Sequence, residues 1–229
     1  MQYSNTVVGF ILKNNSTIRM RNNMPKIKIE FYHDAVCGWC YILSPRLRNL
    51  LKNKNIEIQQ RCFVLQRNDE EMVQRFGSLT SAKFEILNHW ESCKAQADDP
   101  SSINIEGMRA TSFSYPSGYL AALGAKTAEL MGDSNTHWDY FDEIQRQHLQ
   151  LNSNIADTEV IIATAKIIGL DPIEFSNTLF SDKVKQAVEK DIRQAQKLGI
   201  RTIPTIVING EKVISQALSN QQLDTLFSQ

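Results

Sequence analysis

Cys37 and Cys40 stand in the run Asp34-Ala35-Val36-Cys37-Gly38-Trp39-Cys40-Tyr41 and are the side chains of this sequence best suited to covalent chemistry. A thiolate is a strong nucleophile, and a second thiol one helical turn away can attack a mixed disulfide held on the first. The spacing therefore supplies a thiol that attacks, Cys37, and a thiol that resolves, Cys40. Zinc knuckles share the C-x-x-C spacing but need a second ligand pair. Here Cys62 and Cys93 stand alone, with no second C-x-x-C and no H-x-x-x-H. A third reading, two buried core thiols, conflicts with Gly38 and Trp39 between them at a strand-to-helix turn.

The elements that must position this pair are legible on either side of it. The β-rich run Lys26-Ile27-Lys28-Ile29-Glu30-Phe31-Tyr32 leads in, and the spacing of Leu43, Leu47, Leu50 and Leu51 behind it is helical. Cys37 thus falls at a helix N-terminus, where unpaired N–H groups and the helix dipole favour an anion. The helix is expected over 38–53, broken by Asn53-Lys54-Asn55, and a second strand over 56–65, alternating at first and then apolar. Two strands joined through a helix pair in parallel with a right-handed crossover. That connection puts Cys37 at the carboxyl edge of the first strand, where open sheets hold their sites.

Strand character then vanishes for most of the chain. Asn68 or Asp69 caps a short helix to Phe76, and Thr80 or Ser81 caps a longer one carrying Phe84, Leu87, Trp90 and Cys93. The segment from Ile103 to Tyr115 has no assignable pattern. Further helices are expected over 117–131, 136–149 and 157–168, the last capped by Asp157 and stopped by Gly169. Asp171-Pro172 opens another with proline at its first position, and Ser181 with Asp182 opens one that Gly199 closes. Strand character returns over 201–208 and 211–214 around Asn209-Gly210, the dipeptide of a type I′ hairpin, and Ser219 caps a last helix. The order is α/β: β-α-β, a long all-helical insertion, then a C-terminal α-β-β-α unit. The expected division is a flexible leader over 1–24, one domain built from 25–66 and 182–229, and a helical insertion domain over 67–181.

Composition sets the outer limits on function. A chain of 229 residues, 42% hydrophobic, can bury a full core. Lys plus Arg equals Asp plus Glu at 25 each, so no global field draws in nucleic acid or an anionic membrane. No apolar run approaches the roughly 18 residues that span a bilayer, and Val7–Leu12 is too short for a secretory signal. Four cysteines are too few for a disulfide scaffold of this length and read as thiols of a reducing, cytoplasmic compartment. No G-x-G-x-x-G is present, so no bound nucleotide cofactor is expected. Electrons would reach the Cys37–Cys40 disulfide through another thiol system, such as a low-molecular-weight thiol.

With Cys37-Gly38-Trp39-Cys40 after the first strand and Thr202-Ile203-Pro204-Thr205 opening the third, the chain resembles the thioredoxin superfamily. Its long helical insertion, Asp34 before the cysteines, and the segment Leu198-Gly199-Ile200-Arg201-Thr202-Ile203-Pro204-Thr205 are similar to the DsbA-like branch, particularly its FrnE-type cytoplasmic dithiol–disulfide oxidoreductases. The resemblance covers about residues 25–228. It implies a thioredoxin fold and a cis Ile203–Pro204 bond, with Pro204 over the cysteine pair and the Ile203 backbone exposed to an extended substrate. Two positions depart from the family: Gly38 stands where proline is common, and Thr202 stands where glycine is usual two places before the cis-proline.

The implied activity is thiol–disulfide oxidoreduction or disulfide isomerisation on protein or small-molecule thiols, by a monomer or weak homodimer with no metal, nucleic acid or membrane partner. In a reducing cytosol, reduction or isomerisation is the natural direction. One alternative on the same fold is a kappa-type glutathione transferase-like or isomerase enzyme, whose members lack an intact cysteine pair. The other is a chaperone or adaptor that binds proteins through the helical insertion. Asp34 is a candidate proton acceptor for Cys40, if buried, or a plain loop cap. Trp39 is a candidate substrate platform or a packing residue. His33 reads as surface or packed, and His89 with Cys93 as structural rather than as a two-ligand metal face. Cys62 reads as a small hydrophobe, whereas Cys93 could exchange with the active pair if the fold brought it near.

Overall fold

The apolar run that leads to the cysteines forms β1 (Ile27–His33), with Phe31, Tyr32 and His33 buried in succession. Consecutive burial marks a strand covered on both faces. The computed structural model describes residues 26–52 and 54–228; the leader expected over 1–24 and the breaker Asn53 lie outside them. β1 continues into α1 (Gly38–Leu51) and then β2 (Ile56–Cys62), which runs parallel to β1 with Ile27 opposite Ile56 and His33 opposite Cys62.

The helical stretch follows: α2 (Asp69–Phe76), α3 (Leu79–Gln96), α4 (Ile105–Ala110), α5 (Tyr119–Met131), α6 (Ser134–Gln145), α7 (Thr158–Ile167) and α8 (Pro172–Leu179). α9 (Asp182–Lys197) then leads to β3 (Thr205–Ile208), β4 (Lys212–Ile214) and α10 (Asn220–Leu226). β3 pairs antiparallel with β1 and with β4, so the four-stranded order is β2-β1-β3-β4. Asn209 and Gly210 hold φ of 53° and 75°, the two positive angles of the expected turn. This is the thioredoxin arrangement with a helical insertion.

Several boundaries move, each for a local reason. α3 is capped by Ser78, not Thr80 or Ser81, because the Ser78 hydroxyl accepts from the Ser81 N–H at 3.0 Å. α6 begins at Ser134 rather than 136, since Asp133 and Thr136 close a reciprocal capping box. That helix widens into a π turn over Arg146–Gln150 instead of running on to 149. α5 starts at Tyr119 rather than 117, and α1 stops at Leu51. β3 starts at Thr205, not Arg201, for Pro204 has no N–H to give the ladder. The unassigned segment from Ile103 holds α4 and ends on the buried Tyr115.

Two kinds of contact join helices to sheet. One is apolar: Phe31, Leu43, Leu47, Trp138, Phe141 and Ile206 are buried in one cluster that also holds Cys37 and Cys40. The other is a buried ion network. Asp191 of α9 accepts from the Cys62 N–H at 3.0 Å and pairs with Lys126 of α5 at 2.6 Å and Arg61 of β2 at 3.2 Å. Lys126 also meets Glu129 at 2.6 Å, and Glu129 lies 2.7 Å from His137 of α6. Burial works to raise Glu129, but His137 and Lys126 outweigh it and hold its carboxyl at about 2. Removing one member of such a cluster strands the others without a counter-charge. Asp191→Ala is therefore expected to lower the unfolding free energy by about 3–5 kcal/mol in urea titrations; a loss below about 1 kcal/mol, the worth of a surface pair, would show the network to be solvated.

Candidate functional site

Cys37 is the residue that begins α1, with φ −90° and ψ 109°, and its carbonyl accepts the N–H groups of Cys40 and Tyr41, both at 3.1 Å. The sequence puts it there because β1 ends at His33 and the 34–37 loop is too short to do anything but turn into the helix. Its Sγ lies 3.9 Å from the carbonyl oxygen of Ile203, contributed by the loop before β3. The Ile203–Pro204 peptide bond is cis, Pro204 is buried, and Ile203 packs on the cluster that holds both cysteines. Cys37 is 8% exposed and Cys40 is fully enclosed behind it. Burial, and then the neighbouring Cys37, push the Cys40 thiol well above its ordinary range. All four cysteines are free thiols.

Asp34 turns inward. It is 3% exposed, and its carboxylate accepts the Leu65 N–H at 2.8 Å and the Val36 N–H at 3.3 Å. Burial raises it to about 6 against the pull of those N–H groups, and its charge in turn is felt at Cys40. The carboxylate fills the place where a Cβ on Gly118 would stand, so the loop before α5 closes on Asp34 only because residue 118 has no side chain.

The helical insertion supplies residues that the sequence analysis did not single out. Gln145, at the end of α6 and fully buried, donates its Nε2 to the carbonyls of Cys37 at 3.1 Å and of Asp34 and Ala35 at 3.4 Å. Tyr115 donates its hydroxyl to the Val36 carbonyl at 2.9 Å, with His148 Nε2 3.1 Å away on the other side. Every carbonyl from Asp34 to Cys37 thus meets a side-chain donor from the stretch between β2 and α9, Gln145 from α6 and Tyr115 from the segment before α5. Gln145 left a trace in the sequence, as an amide on the apolar face that Trp138, Phe141 and Ile144 define; Tyr115 left none.

The other residues singled out from the sequence fall as follows. Trp39 is half-buried and packs against both large apolar clusters, and Gly38 is buried. His33 is packed, its ring centroid 3.7 Å from that of Phe141, and burial and then His137 push its pKa well down. Cys62 lies against the Ala122 carbonyl at 3.7 Å, and burial drives its thiol far up. His89 is exposed while Cys93 is buried. Among the described residues no group of three or more His, Cys, Asp or Glu is placed to hold a metal. No described helix is long and apolar enough to cross a membrane.

A strand-to-helix turn carrying two thiols, faced by a cis-proline loop and backed by a helical insertion, defines a dithiol site of the thioredoxin class. The sequence profile of the thioredoxin family matches residues 31–225, and the chain belongs to that family. Among solved structures, its fold is similar to that of the cytosolic disulfide reductase DsbM from Pseudomonas aeruginosa, with TM-score 0.70 and 15% identity over 88% of this chain and 97% of that one. It is likewise similar to a Nitrosomonas europaea protein provisionally described as a protein disulfide isomerase, with TM-score 0.71 and 19% identity over 89% and 97%. In sequence it is 23% identical to the ClpXP adapter protein SpxH of Shouchella clausii over 79% of this chain. The chain spans 57% of the length of that relative.

The buried Asp34 has a measurable consequence for stability. Its carboxyl titrates at about 6 in the folded chain against an ordinary 3.8, so the protonated form is the one the fold favours. Its contribution is fully present below about pH 4 and is lost as pH rises through about 6. Asp34→Asn keeps the shape and removes the charge. Wild type is expected to lose up to about 3 kcal/mol relative to this variant between about pH 4 and pH 7 in denaturant titrations. Parallel curves for the two proteins would contradict a buried, titrating Asp34.

Proposed function

We propose that this protein is a thiol–disulfide oxidoreductase or isomerase that acts on protein or small-molecule thiols through Cys37 and Cys40. The observation that carries the reading is the asymmetry of the pair: Cys37 keeps an opening at the edge of the sheet while Cys40 is enclosed one turn behind it. In reduction, the Cys37 thiolate attacks a substrate disulfide; the new Sγ–S bond forms as the substrate bond breaks, and the leaving thiolate takes a proton. Cys40 then attacks Cys37 Sγ, releases the second substrate thiol and leaves the Cys37–Cys40 disulfide.

Asp34 is the group suited to take the Cys40 proton. A carboxyl near 6 accepts a proton around neutral pH and can return it, which a solvated aspartate near 4 does poorly. Mixed-disulfide formation also removes the Cys37 charge that opposes Cys40 ionisation. An extended substrate would lie along Ile203 and Pro204, with the Ile203 carbonyl facing Cys37 and the half-buried Trp39 beside it. The intact pair favours this reading over a kappa-type transferase. Re-reduction by a low-molecular-weight thiol in the cytoplasm completes the cycle we propose; the DsbM structure of similar fold has also been solved with GSH.

The deciding measurement is the reduction potential of the couple, read by alkylation and mass spectrometry after equilibration in graded glutathione buffers. A value near about −270 mV, that of thioredoxin, is expected for a cytosolic reductase, and one near about −120 mV would instead mark an oxidant. Failure to form a Cys37–Cys40 disulfide at any poise would overturn the redox reading.

The SpxH relative favours a second reading, an adaptor that binds a partner protein. The Cys37→Ser, Cys40→Ser double variant separates the two. Binding of a candidate client protein with unchanged affinity by this variant supports the adaptor, and loss of insulin-disulfide reduction without any client binding supports the enzyme.

A further inference from the structure

Cys93 lies on α3, far from the cysteine pair in sequence, and is 1% exposed. Its Sγ stands 3.0 Å from the place a Cβ on Gly38 would take, and its own Cβ 3.3 Å from that place. A third thiol thus stands directly against the position that a side chain following Cys37 would take. Trp90, one turn earlier on α3, meets the ring of Tyr115, whose hydroxyl holds the Val36 carbonyl, so this part of α3 is fixed against the active turn. Burial, and then the charge of Cys37, push the Cys93 thiol up to about 12. Cys40 responds to the same two influences. A negative charge on Cys37 thus works against both buried thiols, and that opposition ends once Cys37 is tied up in a disulfide.

We propose that Cys93 is a second resolving thiol, able to take the place of Cys40 in displacing a substrate from a mixed disulfide on Cys37. The inference rests on the thiol–disulfide reading of Cys37 given above. With glutathione disulfide as substrate, Cys37 attacks one sulfur, forming a Cys37–glutathione disulfide and releasing one glutathione. Cys93 then attacks Cys37 Sγ. The Sγ–Sγ bond between Cys93 and Cys37 forms, the bond from Cys37 to glutathione breaks, and the Cys93 proton goes to the departing thiolate. One disulfide enters, one remains in the protein, and two glutathione thiols leave, so the substrate is the sole oxidant. Acting on the Cys37–Cys40 disulfide, the same attack returns Cys40 as a thiol and stores the oxidation between Cys37 and Cys93. A Cβ at position 38 would press on the Cys93 sulfur, so the seating of α3 against the turn depends on glycine there.

The test uses the full-length Cys40→Ser variant treated with glutathione disulfide, quenched by alkylation over time and mapped by peptide mass spectrometry. The expected result is a Cys37–glutathione adduct that decays into a linked Cys37–Cys93 peptide. In Cys40→Ser with Cys93→Ala the adduct is expected to persist at least about tenfold longer, while Cys40→Ser with Cys62→Ala behaves as Cys40→Ser alone. Circular dichroism and thermal unfolding confirm that each variant is folded. Equal adduct lifetimes with and without Cys93, or a Cys37–Cys62 link in its place, would overturn the role of Cys93. Absence of any adduct on Cys37 would instead overturn the thiol–disulfide reading itself.

Discussion

A strand that turns sharply into a helix leaves carbonyls that neither element can satisfy, and a buried carbonyl without a donor is costly. In this chain the turn over 34–37 is buried; the carbonyls of Asp34 and Cys37 accept backbone N–H groups of the turn and of α1, and those of Ala35 and Val36 are met from elsewhere. Gln145, from the end of α6, meets the Ala35 carbonyl and Tyr115, from the segment after α4, meets that of Val36; Gln145 also reaches the carbonyls of Asp34 and Cys37. The helical insertion is therefore part of the site and not an ornament on it. It fixes the backbone from which Cys37 and Cys40 project, and the buried salt network around Asp191 fixes the insertion to β2 and α9.

The same burial governs the chemistry. Asp34, Cys40 and Cys93 all sit where water does not reach, and all three are driven toward their neutral forms. Low dielectric makes like charges expensive to hold together, so the cluster favours one negative charge at a time. Cys37, at 8% exposed, is the least enclosed of these thiols. In the cycle we propose, tying Cys37 up in a disulfide lifts the opposition its charge poses to Cys40 and Cys93. In the proposed cycle the order of reaction follows depth: the least enclosed thiol acts first and the fully enclosed ones follow.

Much of this was legible before the fold was known. The C-x-x-C spacing after a β-rich run, the β-α-β opening, the caps at Asn68, Asp157, Ser181 and Ser219, and the Asn209-Gly210 hairpin are all local signals. Each depends on residues within about one turn of one another, which is the range over which side-chain capping and backbone preference act. Boundaries went astray where two local options competed, as at Ser78 against Thr80, or where a helix changed pitch, as after Gln145.

What the sequence determined alone is the candidate cysteine pair, its place at the start of a helix, and the order of strands and helices around it. What only the tertiary structure decided is the environment of that pair: Gln145 meeting a carbonyl 108 positions away, Gly118 yielding its volume to Asp34, and Cys93 taking the space beside Gly38. The reason is physical. Local elements arise from interactions between near neighbours in the chain, whereas burial, charge coupling and the satisfaction of a stranded carbonyl arise from whatever the folded chain brings alongside, and no spacing along the sequence records that meeting.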